Sequence, residues 1–237
     1  MVPLTGEFYA ATLSDSVISQ FIHKIGNHFQ LINLLIGSLK RTGTNIDEIE
    51  SLQLTVDRAV EFTRAFSHYS QAPVLTPAID LGEILHAVIR SIAPSFVEKK
   101  IALRDRVQEC LNGAMITGDA YLLELAFTAL LQNALDATKS GNRIVVSGRK
   151  ADKRLGERSI ARITLVDNGH GMEKNMLAKA ADPFVTSKRE RDGLGLSIAI
   201  RIVEIHGGRL SISSASGKGT KVEIVLPVTF TAESSDA

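Results

Sequence analysis

Seven apolar residues recur with heptad spacing in the N-terminal part of the chain. The steps between them alternate between four and three residues: Ile18, Ile22, Ile25, Phe29, Ile32, Ile36 and Leu39. Such a seam places one apolar stripe along a helix, as in bundles and coiled coils. A turn at 41–47 and a second apolar face from Ile49 to Phe66 complete a predicted α-helical hairpin. Two helices alone leave apolar surface bare, so we expect a homodimeric four-helix bundle.

Composition narrows the class of protein. The chain has 237 residues, of which 44% are hydrophobic and 22% charged, and its net charge is +1. This balance is ordinary for a globular protein of one or two domains, and it gives no electrostatic argument for binding nucleic acid or an anionic membrane. The single cysteine, Cys110, excludes an internal disulfide and suits a reducing compartment.

Localisation signals are missing from the sequence. No apolar stretch reaches the roughly 18 residues of a membrane span. The first ten residues, MVPLTGEFYA, lack the basic and apolar regions of a secretory signal. We therefore expect a cytoplasmic chain, and a sensory region upstream of it would leave no trace in these residues.

The sequence pattern changes after residues 71–80, where Pro73 and Pro77 predict a linker or an extended strand. Helices are predicted over 81–92, 119–139 and 198–206, the last closed by Gly207 and Gly208. Strands are predicted within 101–107, 143–150, 162–169, 209–216 and 221–227. Helices and a mostly antiparallel sheet predict an α/β two-layer sandwich. The expected domains are therefore residues 12–72 and residues 73–237.

Two motifs in the second region carry residues suited to chemistry. Asn133 interrupts the apolar run of LLQNALDAT, and its carboxamide oxygen suits Mg²⁺, although a solvated helix position is the commoner role. Asp167 ends a strand in VDNGHGM and precedes Gly169 and Gly171. Its carboxylate can accept a hydrogen bond from an exocyclic amine, while the glycines let the backbone approach a flat ligand. An ordinary turn would use the same residues.

A third motif lies at the start of the last predicted helix. Gly193 and Gly195 stand there in RDGLGLS, and Lys188 precedes them. Backbone N–H groups at a helix start favour phosphate, and a nearby lysine can reach its oxygens. The alternative is that these glycines only mark the start of a helix and bind no phosphate.

Taken in order, these motifs resemble the N, G1, F and G2 boxes of the histidine-kinase ATP-binding domain, the Bergerat (GHKL) fold shared with gyrase and the Hsp90 chaperones. The resemblance covers about residues 74–228. It implies ATP and Mg²⁺ as cofactors, with Asn133 as the metal ligand. The nucleotide-binding residues that it implies are Asn133, Asp136, Asp167, Gly169, Gly171, Phe184, Lys188, Gly193, Leu194, Gly195 and Leu196.

The stretch FIHKIGNHF resembles the phosphoacceptor motif on the first helix of sensor kinases. The matching residues are Phe21, His23, Ile25, Asn27 and Phe29. The resemblance implies that His23 accepts the phosphoryl group and that Asn27 orients a water for dephosphorylation of the partner. His28 is expected to be an ordinary surface residue. Lys24 departs from the pattern, because the family usually has an acidic residue at this position that acts as a base on the imidazole.

The sequence as a whole resembles a sensor histidine kinase of bacterial two-component systems. The resemblance implies that the chain phosphorylates itself on His23 and passes the phosphoryl group to an aspartate of a response regulator receiver domain. Two alternatives stay open: a kinase-weak member biased toward phosphatase activity, which Lys24 would favour, and a nucleotide-gated interaction module that transfers nothing.

Overall fold

The computed structural model describes residues 15–42, 49–50, 52–53, 55–56, 59–60, 63, 67, 75–107, 111, 113–151, 159–186 and 193–230. The chain divides into two compact units. Residues 1–72 and 183–194 form the first, and residues 73–182 and 195–237 form the second. No sequence pattern predicted that Pro183–Leu194 would group with the N-terminal residues.

The first unit contains helix α1, Asp15–Thr42, which confirms the first predicted helix. Along the predicted seam, Ile22, Phe29 and Ile36 are exposed, whereas Ile25 and Ile32 are half-buried. The described residues between 49 and 67 are helical as well, as the hairpin requires. The side chains of Ile18 and Phe66, also predicted for the apolar faces, lie outside the described residues. A single chain thus leaves much of the stripe on α1 open to solvent.

The second unit contains two sheets. One is antiparallel, in the order β1-β3-β8, with β1 at Thr76–Asp80, β3 at Ala114–Gly118 and β8 at Thr229–Phe230. The other has the order β2-β4-β5-β7-β6, with β2 at Ala102–Arg106, β4 at Arg143–Ala151, β5 at Ile160–Asp167, β6 at Arg209–Ser214 and β7 at Thr220–Pro227. Only its β2–β4 pair is parallel. The predicted, mostly antiparallel sheet is confirmed.

Long helices cover one face of the five-stranded sheet: α2 at Leu81–Glu98, α3 at Ala120–Ala137 and α5 at Gly195–Ile205. A short helix, α4 at Lys174–Lys179, follows β5 in the chain and buries none of its residues. The core lies between this face and α2, α3 and α5, whose buried residues recur every three or four positions. Alternate residues of β5, from Ala161 to Asp167, are buried against them. The spacing of apolar residues in the sequence therefore predicted the α/β sandwich correctly.

Element boundaries differ from the predictions for identifiable reasons. Helix α2 continues to Glu98 rather than ending at Ile92, because Phe96 is buried to 1% exposure although Pro94 interrupts the helix's hydrogen bonding. Helix α5 begins at Gly195, three residues before the predicted start. Strand β3, helix α4 and strand β8 were not predicted, since two to six residues carry too little periodicity.

A buried histidine joins the end of α5 to the start of α3. His206 Nδ1 lies 2.6 Å from the Ile202 carbonyl oxygen, and the Asp119 N–H donates to Nε2 at 2.9 Å. Because the carbonyl only accepts, Nδ1 carries the hydrogen and the ring is neutral. The ring packs so tightly against Gly118 that a Cβ there would lie 2.5 Å from its Cδ2. Burial lowers the pKa of His206.

We expect the stabilising effect of His206 to depend on pH. Its pKa is lower in the folded chain than its ordinary value of 6.5, so its contribution is complete above that value and is lost as pH falls toward the folded pKa. At pH 7.5, His206→Gln should lower the free energy of unfolding by about 2 kcal/mol. This difference, measured by urea unfolding, should shrink at pH 5.5. A difference that stays constant or grows would contradict the neutral assignment.

Candidate functional site

The carboxylate of Asp167 lies at the end of the central strand β5 and is only 6% exposed. Its Oδ1 accepts hydrogen bonds from the Gly169 N–H at 2.8 Å and the Thr220 N–H at 3.3 Å. Burial raises the pKa of Asp167, and these two bonds oppose the shift. Because both bonds use Oδ1, the other carboxylate oxygen can accept a hydrogen bond from a ligand.

The glycines after Asp167 are required by the protein's own backbone. A Cβ on Gly169 would lie 2.2 Å from the Ala137 carbonyl oxygen, and one on Gly171, whose φ is +64°, would lie 2.0 Å from that of Ala215. The His170 N–H donates to the same Ala137 oxygen at 3.0 Å. The loop is therefore packed tightly between the end of α3 and the β6–β7 turn, which fixes the position of Asp167.

Asn133 lies on α3 and faces the first turn of α5. A Cβ built on Gly195 would lie 3.8 Å from Asn133 Nδ2 and 4.0 Å from Oδ1, so the structure brings these two predicted residues together. Leu196 follows in the same turn and is half-buried. Asp136, one turn after Asn133, is held differently: its Oδ1 accepts from Gln132 Nε2 at 3.0 Å, and Lys99 Nζ lies 3.9 Å away.

Three further predicted residues belong to the first unit. The Phe184 N–H donates to the Gly193 carbonyl at 2.9 Å, and Leu194 is buried. A Cβ on Gly193, whose φ is +74°, would lie 2.6 Å from the Phe184 carbonyl carbon, so this closed loop requires glycine. Lys188, predicted to reach phosphate, lies outside the described residues.

Phe184 itself is unusual in two respects. Its φ is +67°, a left-handed conformation that is uncommon for an aromatic residue. Its ring lies 5.8 Å from Lys24 Nζ on α1, within the range of a cation–π interaction. The lysine that departs from the phosphoacceptor pattern is thus in contact with the residue that matches the F box.

The two residues predicted for phosphoryl chemistry lie on α1. His23 and Asn27 are both exposed and stand four residues apart, so they occupy one face of the helix. Ile25 between them is half-buried. Both side chains are therefore reachable from solvent, as a phosphoacceptor must be.

Sequence reasoning missed two residues that hold the Asp167 loop. Ser214 Oγ accepts from the Met172 N–H at 2.9 Å and donates to the Gly219 carbonyl at 2.9 Å. It also lies 3.0 Å from Thr220 Oγ1, while the Thr220 backbone binds Asp167. The Gly-Lys-Gly-Thr turn before β7 was the available signal for Thr220. Nothing in the local pattern around Ser214 distinguishes it from its neighbours.

In the described part of the chain, histidine, cysteine, aspartate and glutamate side chains form no group of three that could hold a metal ion. None of the helices in this part of the chain combines the length and apolar character needed to cross a bilayer.

Comparison with known proteins identifies one segment of the chain. Residues 118–229 match the family described as histidine kinase-, DNA gyrase B-, and HSP90-like ATPase. The match covers just under half of the chain and concerns this segment. The matched segment includes Asn133, Asp167 and Gly195, and the predicted family resemblance is thereby confirmed.

The curated relatives of this chain include proteins named as sporulation kinases and as sensor proteins. Sporulation kinase C of Bacillus subtilis (strain 168) is 32% identical over 148 residues, which are 62% of this chain and 33% of that protein. Sensor protein DegM of Bacillus sp. (strain B21-2) is 26% identical over 206 residues, or 87% of this chain and 52% of that protein. The chain thus spans about a third to a half of the length of these two relatives.

Solved structures show the same fold. The crystal structure of the histidine kinase ThkA in complex with the response regulator protein TrrA has a TM-score of 0.72 and 18% identity. The match covers 97% of this chain and 69% of that one.

We expect Asp167→Asn to weaken binding of ADP by about 1–3 kcal/mol, the scale of a hydrogen bond to a charged group. The asparagine oxygen can keep the bonds from Gly169 and Thr220, but its NH₂ then faces the amine of the adenine, donor against donor. Calorimetry on the whole chain measures the loss. Asp105→Asn, which changes a carboxylate that pairs with His86 instead, is the matched control. Equal affinity of Asp167→Asn and wild type would refute this role.

Proposed function

We propose that the chain is an ATP-dependent protein histidine kinase. His23 attacks the γ-phosphoryl group of bound ATP, ADP leaves, and the phosphoryl group then passes to an aspartate of a response regulator. The observation that carries the proposal is an exposed histidine on α1, followed four residues later by exposed Asn27, in the same chain as the ATPase domain. A sporulation kinase and a sensor protein among the relatives support it, as does the response regulator bound to ThkA.

The nucleotide is proposed to bind in the second unit. Asp167 accepts a hydrogen bond from the adenine amine, and the N-terminal turn of α5 at Gly195 and Leu196 offers N–H groups to phosphate. Gly193, Leu194 and Phe184 of the first unit are proposed to contribute to nucleotide binding. Lys188, which lies outside the described residues, is proposed to contribute to it as well.

Asn133 fits a magnesium ligand because its carboxamide lies beside the start of α5, where phosphates are expected. Mg²⁺ commonly takes one or two protein ligands and completes its shell with phosphate oxygens and water, so one asparagine suffices. An ion held there by Asn133 would supply positive charge against the phosphate oxygens. Asp136 is proposed to act beside Asn133, and its bonds to Gln132 and Lys99 hold the carboxylate in place.

We also propose that the chain acts as a homodimer through residues 12–72, with residues 73–237 as the catalytic ATP-binding domain. The apolar stripe on α1 supports this arrangement, because Ile22 is 61% and Phe29 56% exposed in the single chain. Packing of two hairpins into a four-helix bundle would cover these side chains.

The central experiment distinguishes His23 from the second histidine nearby. Incubation with γ-labelled ATP should give acid-labile, alkali-stable label on the wild-type chain. His23→Gln should eliminate the label, because it removes the attacking nitrogen, whereas the matched variant His28→Ala should retain it. Label that survives in His23→Gln would exclude His23 as the phosphoacceptor. Nucleotide binding without any label on the wild type would favour the interaction module.

A second candidate function is a kinase-weak member biased toward phosphatase activity. The Lys24–Phe184 contact favours it, because a cation stands where the family has an acidic residue and holds the F-box residue against α1. Asn27 would remain available to orient water for hydrolysis of the phosphorylated partner.

Lys24→Glu should therefore raise the initial rate of His23 labelling by about tenfold, or about 1.4 kcal/mol of barrier, because it supplies a carboxylate beside the imidazole. Lys24→Gln is the matched control: it removes the cation from Phe184 without adding a base, and should give a smaller gain. A rate that falls in Lys24→Glu would mean that Lys24 assists the transfer, and our account of it as a handicap would be wrong.

A further inference from the structure

The five-stranded sheet has a second face, opposite the helices, which we call the outer face. Its side chains alternate along each strand with those buried in the core, and they form rows that cross the sheet. Three rows run from β2 or β4 to β6. They are Arg104–Val145–Val166–Lys221–Ser213, Arg106–Ser147–Thr164–Glu223–Ser211 and Arg149–Arg162–Val225–Arg209.

Charge on the outer face is almost entirely positive. The three rows contain six cations and one carboxylate, Glu223, although the net charge of the whole chain is only +1. Arg104, Arg106, Arg149 and Arg209 are exposed, and none of them forms an ion pair with another residue that the structure describes. The outer face therefore carries a concentration of positive charge that the net charge of the chain does not reveal.

Glu223 offsets only part of this charge. Its carboxylate pairs with Arg162 and with Lys221, whose Nζ lies 3.1 Å from Oε2. The hydrogen bond from Lys221 is the largest cause of the lowered pKa of Glu223, and Arg162 adds to it. Arg104, Arg106, Arg149 and Arg209 are left without a carboxylate partner among the described residues.

Two of the arginines stand directly opposite each other. Arg149 on β4 and Arg162 on β5 are cross-strand partners in the register. Like charges in directly opposite positions destabilise a sheet. Glu223 offsets this repulsion at Arg162 only, so Arg149 adds a charge that the stability of the sheet does not require.

A small apolar patch lies in the first of the three rows. Val145 and Val166 are cross-strand partners there, and Val166 is 41% exposed. Arg104 flanks the pair on β2 and Lys221 flanks it on β7. Apolar side chains bordered by charged ones are a composition that protein–protein interfaces use. Arginine in particular binds carboxylates through two parallel hydrogen bonds.

We propose that the outer face docks an acidic protein segment, in which clustered aspartate and glutamate side chains surround a small apolar residue. A second copy of this chain is a poor occupant, since two such faces repel. Single-stranded nucleic acid fits less well, because binding it relies on aromatic stacking and the three rows contain no aromatic residue. A bilayer also fits less well, because the valines lie between longer cationic side chains. This inference does not depend on the proposed kinase activity.

Direct binding to the whole chain tests the proposal. The probe is a fluorescein-labelled peptide of alternating glutamate and aspartate around a central valine, compared at equal ionic strength with labelled oligothymidylate and with phosphatidylserine vesicles. We expect the peptide to bind most tightly, and its affinity to fall as salt is raised. Tighter binding of the oligonucleotide or of the vesicles would overturn the choice of partner.

Charge reversal then locates the site. Arg104→Glu combined with Arg149→Glu should weaken peptide binding by about tenfold or more. The matched control, Arg90→Glu with Lys139→Glu, changes the net charge equally at exposed positions away from the outer face, and should weaken binding less than about threefold. Arg104→Gln with Arg149→Gln, which removes the charges without reversing them, should give an intermediate loss of affinity for the peptide. Thermal melts verify that each variant is folded. Equal losses in the face and control variants, or none in either face variant, would overturn the proposal.

Discussion

One buried carboxylate, that of Asp167, holds together the proposed nucleotide site of the second unit. Asp167 ends the central strand of the sheet, and its Oδ1 receives N–H groups from the loop that follows and from the start of β7. These two bonds use the oxygen that faces the protein, and leave the second oxygen for a ligand. Since burial of a carboxylate is unfavourable without such partners, the loop geometry and the position of the acceptor are determined together.

The glycines near this carboxylate show which features the sequence predicted and which it did not. Their spacing after Asp167 led to the prediction of a nucleotide site, which stays a prediction, whereas long periodic elements such as α3 and β5 were predicted because their patterns extend over many residues. The structure adds a physical reason for the glycines that the sequence did not indicate. Gly169 and Gly171 leave space for backbone carbonyls of Ala137 and Ala215, which are distant in sequence and cannot be seen in the motif itself.

Contacts between distant residues account for most of what the sequence did not reveal. The Lys24–Phe184 contact joins positions that are far apart in the chain, and only the fold brings them together. Ser214 supports the Asp167 loop through bonds that no local pattern indicates, and the Gly-Lys-Gly-Thr turn was the only signal for Thr220. The outer face is a further case: a net charge of +1 gave no sign of a cationic face, because summation over the chain hides which face carries the cations.

The central claim is that Asp167 recognises the amine of adenine. Calorimetry with ADP and with purine riboside diphosphate, which lacks only the 6-amino group, tests it without altering the protein. We expect ADP to bind at least about tenfold more tightly than the analogue, because the analogue leaves a buried carboxylate oxygen without its donor. Equal affinities for the two nucleotides would contradict the account.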